Sequence, residues 1–136
     1  MLESNIYMFP KNLPCEWLHV SELFSKELVA RNSLGSSEDL DTWLEKLEAV
    51  YLQDGSFGIV IEDIEQETVY ACAIVMEGYS LHQDNIASVF GMVAEEGYGF
   101  KLLLEVMRVA KSLGYDYLHY SKKIDLTTYQ TKVIKL

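Results

Sequence analysis

A mixed α/β fold of the α+β kind, with a largely antiparallel sheet flanked by helices, is what three observations on this 136-residue chain predict. Two segments of helical period near the N-terminus are followed by a run of three β-rich segments, a long amphipathic segment and further β-rich sequence. The stretch from Asn85 to Ser121 reads without interruption as strand, short glycine-containing loop, helix and strand. Its two strands must then be parallel neighbours, or nearly so, joined by a right-handed crossover. The preceding strands, linked by short polar turns, pair antiparallel.

Each element has a local reason. Asn5 to Phe9 is a short apolar run halted by Pro10 and reads as a first strand. Pro14 suits the first turn of a helix, and Trp17, Val20, Phe24 and Leu28 then recur at helical spacing between Cys15 and Ala30. Ser36 and Asp39 form a capping-box-like start to a second helix, with Leu40, Trp43, Leu44, Leu47, Val50 and Tyr51 as its apolar stripe. Asp54-Gly55 is a turn. Phe57 to Ile61 and Val69 to Met76 are β-rich runs around the polar connection Glu62 to Glu67, a hairpin signature. Ile86, Ala87, Val89, Phe90, Met92 and Val93 have the near-continuous apolarity of a buried strand. Phe100 to Leu113 is a helix expected to be largely buried, with Lys101, Glu105, Arg108 and Ser112 as a narrow polar stripe. Gly114 ends it in the position of a left-handed C-cap, and Tyr115 to Ser121 returns to β-like sequence. Leu126 to Leu136 leaves room for one strand or a hairpin.

Composition bounds the function. Hydrophobic residues at 49% and charged residues at 24% suit one domain with its own core, residues 1–136. No apolar run approaches the roughly 20 residues of a membrane span, and Glu3 with no basic segment argues against a signal peptide, so a cytoplasmic location is expected. Cys15 and Cys72 lie in apolar contexts without metal-ligand spacing and read as small buried thiols. His19 is alone on its helix, and His82 and Asp84 lack a third ligand. Residues 1–99 carry 4 basic against 18 acidic residues, a balance of −14, and residues 100–136 carry 7 against 3, or +4. The acidic part disfavours nucleic acid as a partner. The basic end, with Lys122, Lys123, Lys132 and Lys135, suits a phosphate-bearing ligand or an acidic protein partner, or is a solvated edge that resists sheet-to-sheet aggregation; the last is the favoured reading.

The sharpest functional signal is the loop Glu95-Glu96-Gly97-Tyr98-Gly99, set between the buried strand and the long helix. A helix N-terminus fed this way presents unpaired backbone N–H groups to an anion.

Element order and this loop together resemble the GNAT superfamily, the GCN5-related N-acetyltransferases. In that family a loop of the form R/Q-x-x-G-x-G/A leads into the third helix, and Gly97-Tyr98-Gly99-Phe100-Lys101-Leu102 matches its G-x-G-x-x-L part. The resemblance implies acetyl-CoA as the cofactor. Glu95, Gly97, Tyr98, Gly99 and Phe100 would then line the pyrophosphate, and Val89 and Gly91 would offer backbone groups to the pantetheine. It also implies amine attack on a thioester, which needs a base, a polarising N–H and an acid. Glu62 or Glu77 is a source of a carboxylate and Tyr120 or Tyr129 of a phenol, but no residue is singled out as catalytic. The acceptor would be a small-molecule or protein amine. The chain departs from the family pattern at Ala94, which stands where the family has Arg or Gln, at Glu95 and Glu96, which follow it, and in its short C-terminal segment. A second reading therefore stands beside the enzyme: a non-catalytic GNAT-like binding or structural protein, similar in style to short members encoded by tailed bacteriophages.

Overall fold

Strand pairing, more than local propensity, sets the limits of the sheet. The computed structural model describes residues 1–8, 45, 49, 53, 55–123 and 128–136. Among the described residues, six strands form one sheet in sequence order: β1 (Leu2–Met8), β2 (Phe57–Asp63), β3 (Thr68–Gly78), β4 (Ile86–Ala94), β5 (Tyr117–Lys123) and β6 (Tyr129–Lys135). Every neighbouring pair is antiparallel except β4 and β5, which are parallel. The helix α1 (Gly99–Ser112) makes the crossover between those two. The two N-terminal helices expected from the periodicity lie outside the described residues, apart from Glu45 and Ala49, which are helical and exposed. Among the described residues no helix is long and apolar enough to cross a membrane.

The first strand begins at Leu2, ahead of Asn5, because it pairs along the whole of β2, from Leu2↔Asp63 to Met8↔Phe57. Cross-strand hydrogen bonds hold this exposed sequence extended where its own pattern does not. The β3 strand likewise runs past Met76 to Gly78, where the chain comes so close to β4 that an added Cβ would meet Ser88 Cβ at 2.9 Å. The C-terminal segment forms a single edge strand, paired with β5 from Tyr117↔Lys135 to Lys123↔Tyr129.

Alternation along the strands places Phe57, Ile59, Ile61, Ala73, Val75, Ala87 and Leu118 on one face, where they bury Leu102, Val106, Val109 and Ala110 of α1. Val60, Cys72, Ile74, Ile86 and Val93, on the other face, are buried as well. Cys72 is a free thiol whose pKa is pushed up by burial, as a small core residue should be.

The helix is less buried than its composition suggests. Phe100 is 72% exposed and Leu104 48%, since the helix meets the sheet along the buried stripe Leu102, Val106, Val109 and Ala110, with Leu103 and Met107 partly buried beside it. A helix flanking one face of a sheet contacts it along a single stripe, so a run apolar on nearly every side still leaves residues in water. Its C-terminus follows the glycine rule. Gly114 has φ +93°, its N–H donates to Lys111 O at 3.0 Å, and Tyr115 N–H donates to Ala110 O at 3.1 Å. Those are the two bonds of a Schellman cap.

Candidate active site: a cleft between parallel strands

The two parallel strands meet over three residue pairs only: Ile86↔Tyr117, Ala87↔Leu118 and Ser88↔His119. Beyond them β4 continues to Ala94 and β5 to Lys123 without pairing to each other. The sheet therefore opens in a V whose apex is the Ser88↔His119 rung. From Val89 onward the edge of β4 that faces β5 is not paired to it, over about 20 Å at the usual strand rise of about 3.3 Å per residue.

A β-bulge shapes that edge. Pairing of β4 with β3 shifts register between Ile74↔Gly91 and Val75↔Val89, which leaves Phe90 as the extra residue. Glu95 N–H donates to Tyr70 O at 2.8 Å, so the residues in step with it, Val93 and Gly91, turn their backbone groups toward β3. Met92 and Ala94 turn theirs toward the open side, as does Val89 across the bulge. Among the residues named for the pantetheine, Val89 thus lines the cleft edge, and Gly91 is directed into the β3–β4 ladder. The side chains obey the same parity: Val89, Met92 and Ala94 pack toward α1, and Val93 is buried on the other face.

At the wide end of the V the chain turns through Glu95 to Tyr98 into α1. Tyr98 is the N-cap residue, without a side-chain capping bond, and Leu102 N–H to Tyr98 O, at 2.9 Å, is the first helical hydrogen bond. The N–H groups of Gly99, Phe100 and Lys101 consequently have no intrahelical acceptor. The first turn holds no acidic residue. Glu95 and Glu96 lie in the preceding turn, both exposed. Tyr70 fixes the loop twice, through its carbonyl to Glu95 and through its ring, stacked on Tyr98 with centroids 4.8 Å apart.

Two glycines of the loop differ in their reasons. Gly97 has φ +91°, a conformation side chains rarely adopt. Gly99 has no such φ, and a Cβ added to it would meet only Ala94 Cβ at 4.0 Å, an ordinary contact. Nothing in the described protein requires glycine at position 99, though glycine is a poor helix former. Phe100 projects into solvent beside it.

The closed end of the V is tied by Asn85. At φ +57° its Nδ2 donates to Gly114 O and to Asp116 Oδ2, the latter at 3.1 Å, and Asp116 N–H donates to Asn85 O at 3.0 Å. Leu136 N–H then reaches Asp116 O at 2.9 Å. One side chain thus joins the start of β4, the end of the helix and the entry to β5. Replacing Asn85 with alanine is expected to cost about 1–3 kcal/mol, from its lost hydrogen bonds and from a left-handed φ that alanine tolerates poorly. Chemical denaturation would measure it, and a cost below about 0.5 kcal/mol would remove Asn85 from this role.

Other residues named from the sequence fall elsewhere. Glu62 sits on β2 and accepts a 2.7 Å hydrogen bond from Asn5 Nδ2, with β3 between it and the cleft strand. Glu77 is exposed at the far end of β3, opposite Ala87, where its charge and, first, burial raise the Tyr115 pKa. Arg108 is held by Glu105 at 2.8 Å on the exposed side of α1 and does not reach toward the loop. Tyr120 is half-buried on β5, one residue past the apex. The side chain of Tyr129 lies outside the described residues. No group of three or more His, Cys, Asp and Glu that could hold a metal ion occurs among the described residues.

Sequence reasoning missed Tyr70, Asn85 and His119. Tyr70 and Asn85 act through pairings that no local pattern announces. His119 stood in view only as one polar residue in a tyrosine-rich strand, yet its Nε2 is buried with no hydrogen-bond partner among the described residues.

No protein-family model matches the chain, and no curated protein matches it in sequence. Solved structures do match. It is similar to an acyl-CoA N-acyltransferase from Pseudomonas aeruginosa, with a TM-score of 0.68 at 12% identity over 90% of this chain and 80% of that one. A GNAT-family acetyltransferase from Staphylococcus aureus Mu50 superposes with a TM-score of 0.61 at 17% identity, over 88% and 74%. N-acetylglutamate synthase from Neisseria gonorrhoeae, solved with coenzyme A and N-acetylglutamate, matches with a TM-score of 0.55 at 15% identity, over 90% of this chain and 26% of that one. With a largely antiparallel sheet, a bulged fourth strand and a parallel pair that opens before a Gly-x-Gly helix start, this chain has the fold of the GCN5-related N-acetyltransferases.

Proposed function

We propose that this protein binds acyl-coenzyme A, acetyl-CoA in the first instance, and transfers the acyl group to an amine of a small molecule or a protein. The observation that carries the reading is the V between β4 and β5, which leaves one edge of β4 unpaired to β5 and leads along it to an uncapped helix N-terminus. An extended chain bearing two amides can add to such an edge as a further strand does, and pantetheine is such a chain. Val89, Met92 and Ala94 offer it N–H and C=O groups. Pyrophosphate suits the N–H groups of Gly99, Phe100 and Lys101, with Gly97 and Tyr98 shaping the turn and Glu95 bordering it. In support, the gonococcal synthase of similar fold was solved with coenzyme A. When bound, the coenzyme supplies an activated thioester; the protein's part is to hold it extended, present a backbone N–H to its carbonyl and manage the amine's proton.

Saturating acetyl-CoA is expected to raise the thermal midpoint by several degrees, since ligand at a hundredfold excess over Kd stabilises by about 2.7 kcal/mol. Release of free thiol in the presence of spermidine, lysine or a lysine-containing peptide tests transfer. No thermal shift at millimolar acetyl-CoA would defeat the reading, and binding with no transfer to any amine would favour the non-catalytic GNAT-like module. Changing Glu95 and Glu96 together to glutamine is expected to tighten coenzyme A binding by roughly 3–10-fold at low salt and less at high salt, because two exposed carboxylates beside a pyrophosphate repel it through screened charge. Equal affinity for the double variant and the parent at low salt would mean that the loop does not face the phosphates.

A further inference from the structure

We infer that Tyr70 is a positioning residue for the coenzyme: from β3 it holds the turn before α1 in the shape that presents the first helical N–H groups to the pyrophosphate. The inference rests on the coenzyme reading above and adds to it a residue from outside the Gly-x-Gly loop.

Tyr70 owes its place to a second β-bulge. Pairing of β3 with β2 shifts register between Ile61↔Ala71 and Glu62↔Val69, which leaves Tyr70 as the extra residue. Ala71 is fully buried in the core beneath α1 and Cys72 is buried on the other face, so strict alternation would send Tyr70 to the side of Cys72. The bulge breaks that alternation. The ring stacks instead on Tyr98, itself packed against the α1 side of the core, with centroids 4.8 Å apart and planes 24° from parallel. Both residues are half-buried, outside the fully buried core.

The turn that Tyr70 grips is closed on itself. Tyr98 N–H donates to Glu95 O at 3.0 Å, and Gly97, at φ +91°, occupies the third position as in a type II turn. Tyr70 takes hold of both ends: its carbonyl accepts the Glu95 N–H at 2.8 Å, and its ring meets Tyr98. Tyr98 is also the N-cap of α1 and makes no side-chain capping bond, so the stack does the fixing that a capping bond does elsewhere. A loop that must order itself around an arriving anion loses affinity to that ordering, and one held beforehand does not. Tyr70 therefore acts on binding through Tyr98 and needs no contact with the ligand.

The test uses the full chain, its Tyr70→Leu, Tyr70→Phe and Tyr98→Leu variants, and the double variant with leucine at both positions. Coenzyme A binding is measured by calorimetry well below each thermal midpoint, and exchange of the Gly99, Phe100 and Lys101 amides is followed by NMR without ligand. Each single leucine variant is expected to bind coenzyme A roughly 3–10-fold more weakly than the parent, the loss that one stacked pair can supply. Tyr70→Phe keeps the stack and is expected to bind within about twofold of the parent. The double variant should bind no more weakly than either single one, because both remove the same contact, whereas two independent packing defects would multiply. The three amides should exchange faster in the leucine variants and at the parental rate in Tyr70→Phe. Parental binding or parental amide exchange in Tyr70→Leu, a Tyr70→Phe variant as weak as Tyr70→Leu, or multiplied losses in the double variant would overturn the role of Tyr70 and leave the coenzyme site standing. Failure of the parent itself to bind coenzyme A would overturn both.

Discussion

Replacing Leu102 with alanine is expected to destabilise the protein by about 2–5 kcal/mol, the usual range for emptying a fully buried leucine site. Leu102 is 0% exposed and lies where the first turn of α1 meets the strand face carrying Phe57, Ile59, Ala73 and Val75. The loss comprises the transfer free energy of the removed methyl groups and the contacts of the cavity left behind. Against a typical total of about 5–15 kcal/mol it is a large fraction. Leu104, two residues on, has the same chemistry but is 48% exposed, and its alanine variant is expected to stay within about 1 kcal/mol of the parent. Urea unfolding would show the first change as a lower midpoint at constant slope. Equal effects at the two positions would contradict the placement of the helix on the sheet. Because Leu102 also anchors the start of α1, its alanine variant should bind coenzyme A more weakly as well.

The second large effect separates binding from folding. Gly99→Ala is expected to leave stability unchanged or raise it by up to about 1 kcal/mol, since the position has a helical backbone, room for a methyl group and better helix propensity with alanine. In the proposed coenzyme site the same methyl group would stand where the pyrophosphate approaches the first amides of α1. Displacing the phosphates from one or two charge-assisted hydrogen bonds, at about 1.5–3 kcal/mol each, should weaken coenzyme A binding by on the order of 10–100-fold. Calorimetry on the variant and the parent, with thermal midpoints measured alongside, checks both halves. A variant that binds as the parent does would show that the ligand keeps clear of Gly99. A variant that loses stability would instead show a packing role for this glycine. Gly97→Ala cannot make this distinction, because at φ +91° an added side chain is strained whether or not a ligand binds.

Much of the frame is legible in one dimension. Gly114 announces its Schellman cap, the apolar run from Ile86 announces a buried strand, and the strand–helix–strand order requires a parallel pair. Burial on α1 was overestimated from the same letters, since composition cannot say how many sides of a helix are covered; Phe100 and Leu104 are in water. The strand limits were missed for a related reason. Leu2, Glu3 and Ser4 have little strand character of their own and are extended because β2 lies beside them.

For the site, the division is sharper. The chain's own order of residues determined that a Gly-x-Gly turn would connect a buried strand to a helix N-terminus, because loop chemistry and hydrophobic period are local properties. Tertiary structure decided what that turn faces. The bulge at Phe90 exchanges the parity of β4, so that Met92 and Ala94, and not Gly91, turn their backbone to the open edge. The parallel pairing stops at Ser88↔His119, so that a cleft exists at all. Asn85 and Tyr70 hold its two ends through partners 31 and 25 residues away in sequence. Register, parity and the end of a ladder are relations between strands, fixed by packing and hydrogen bonding across the sheet, and no window of sequence on one strand contains them.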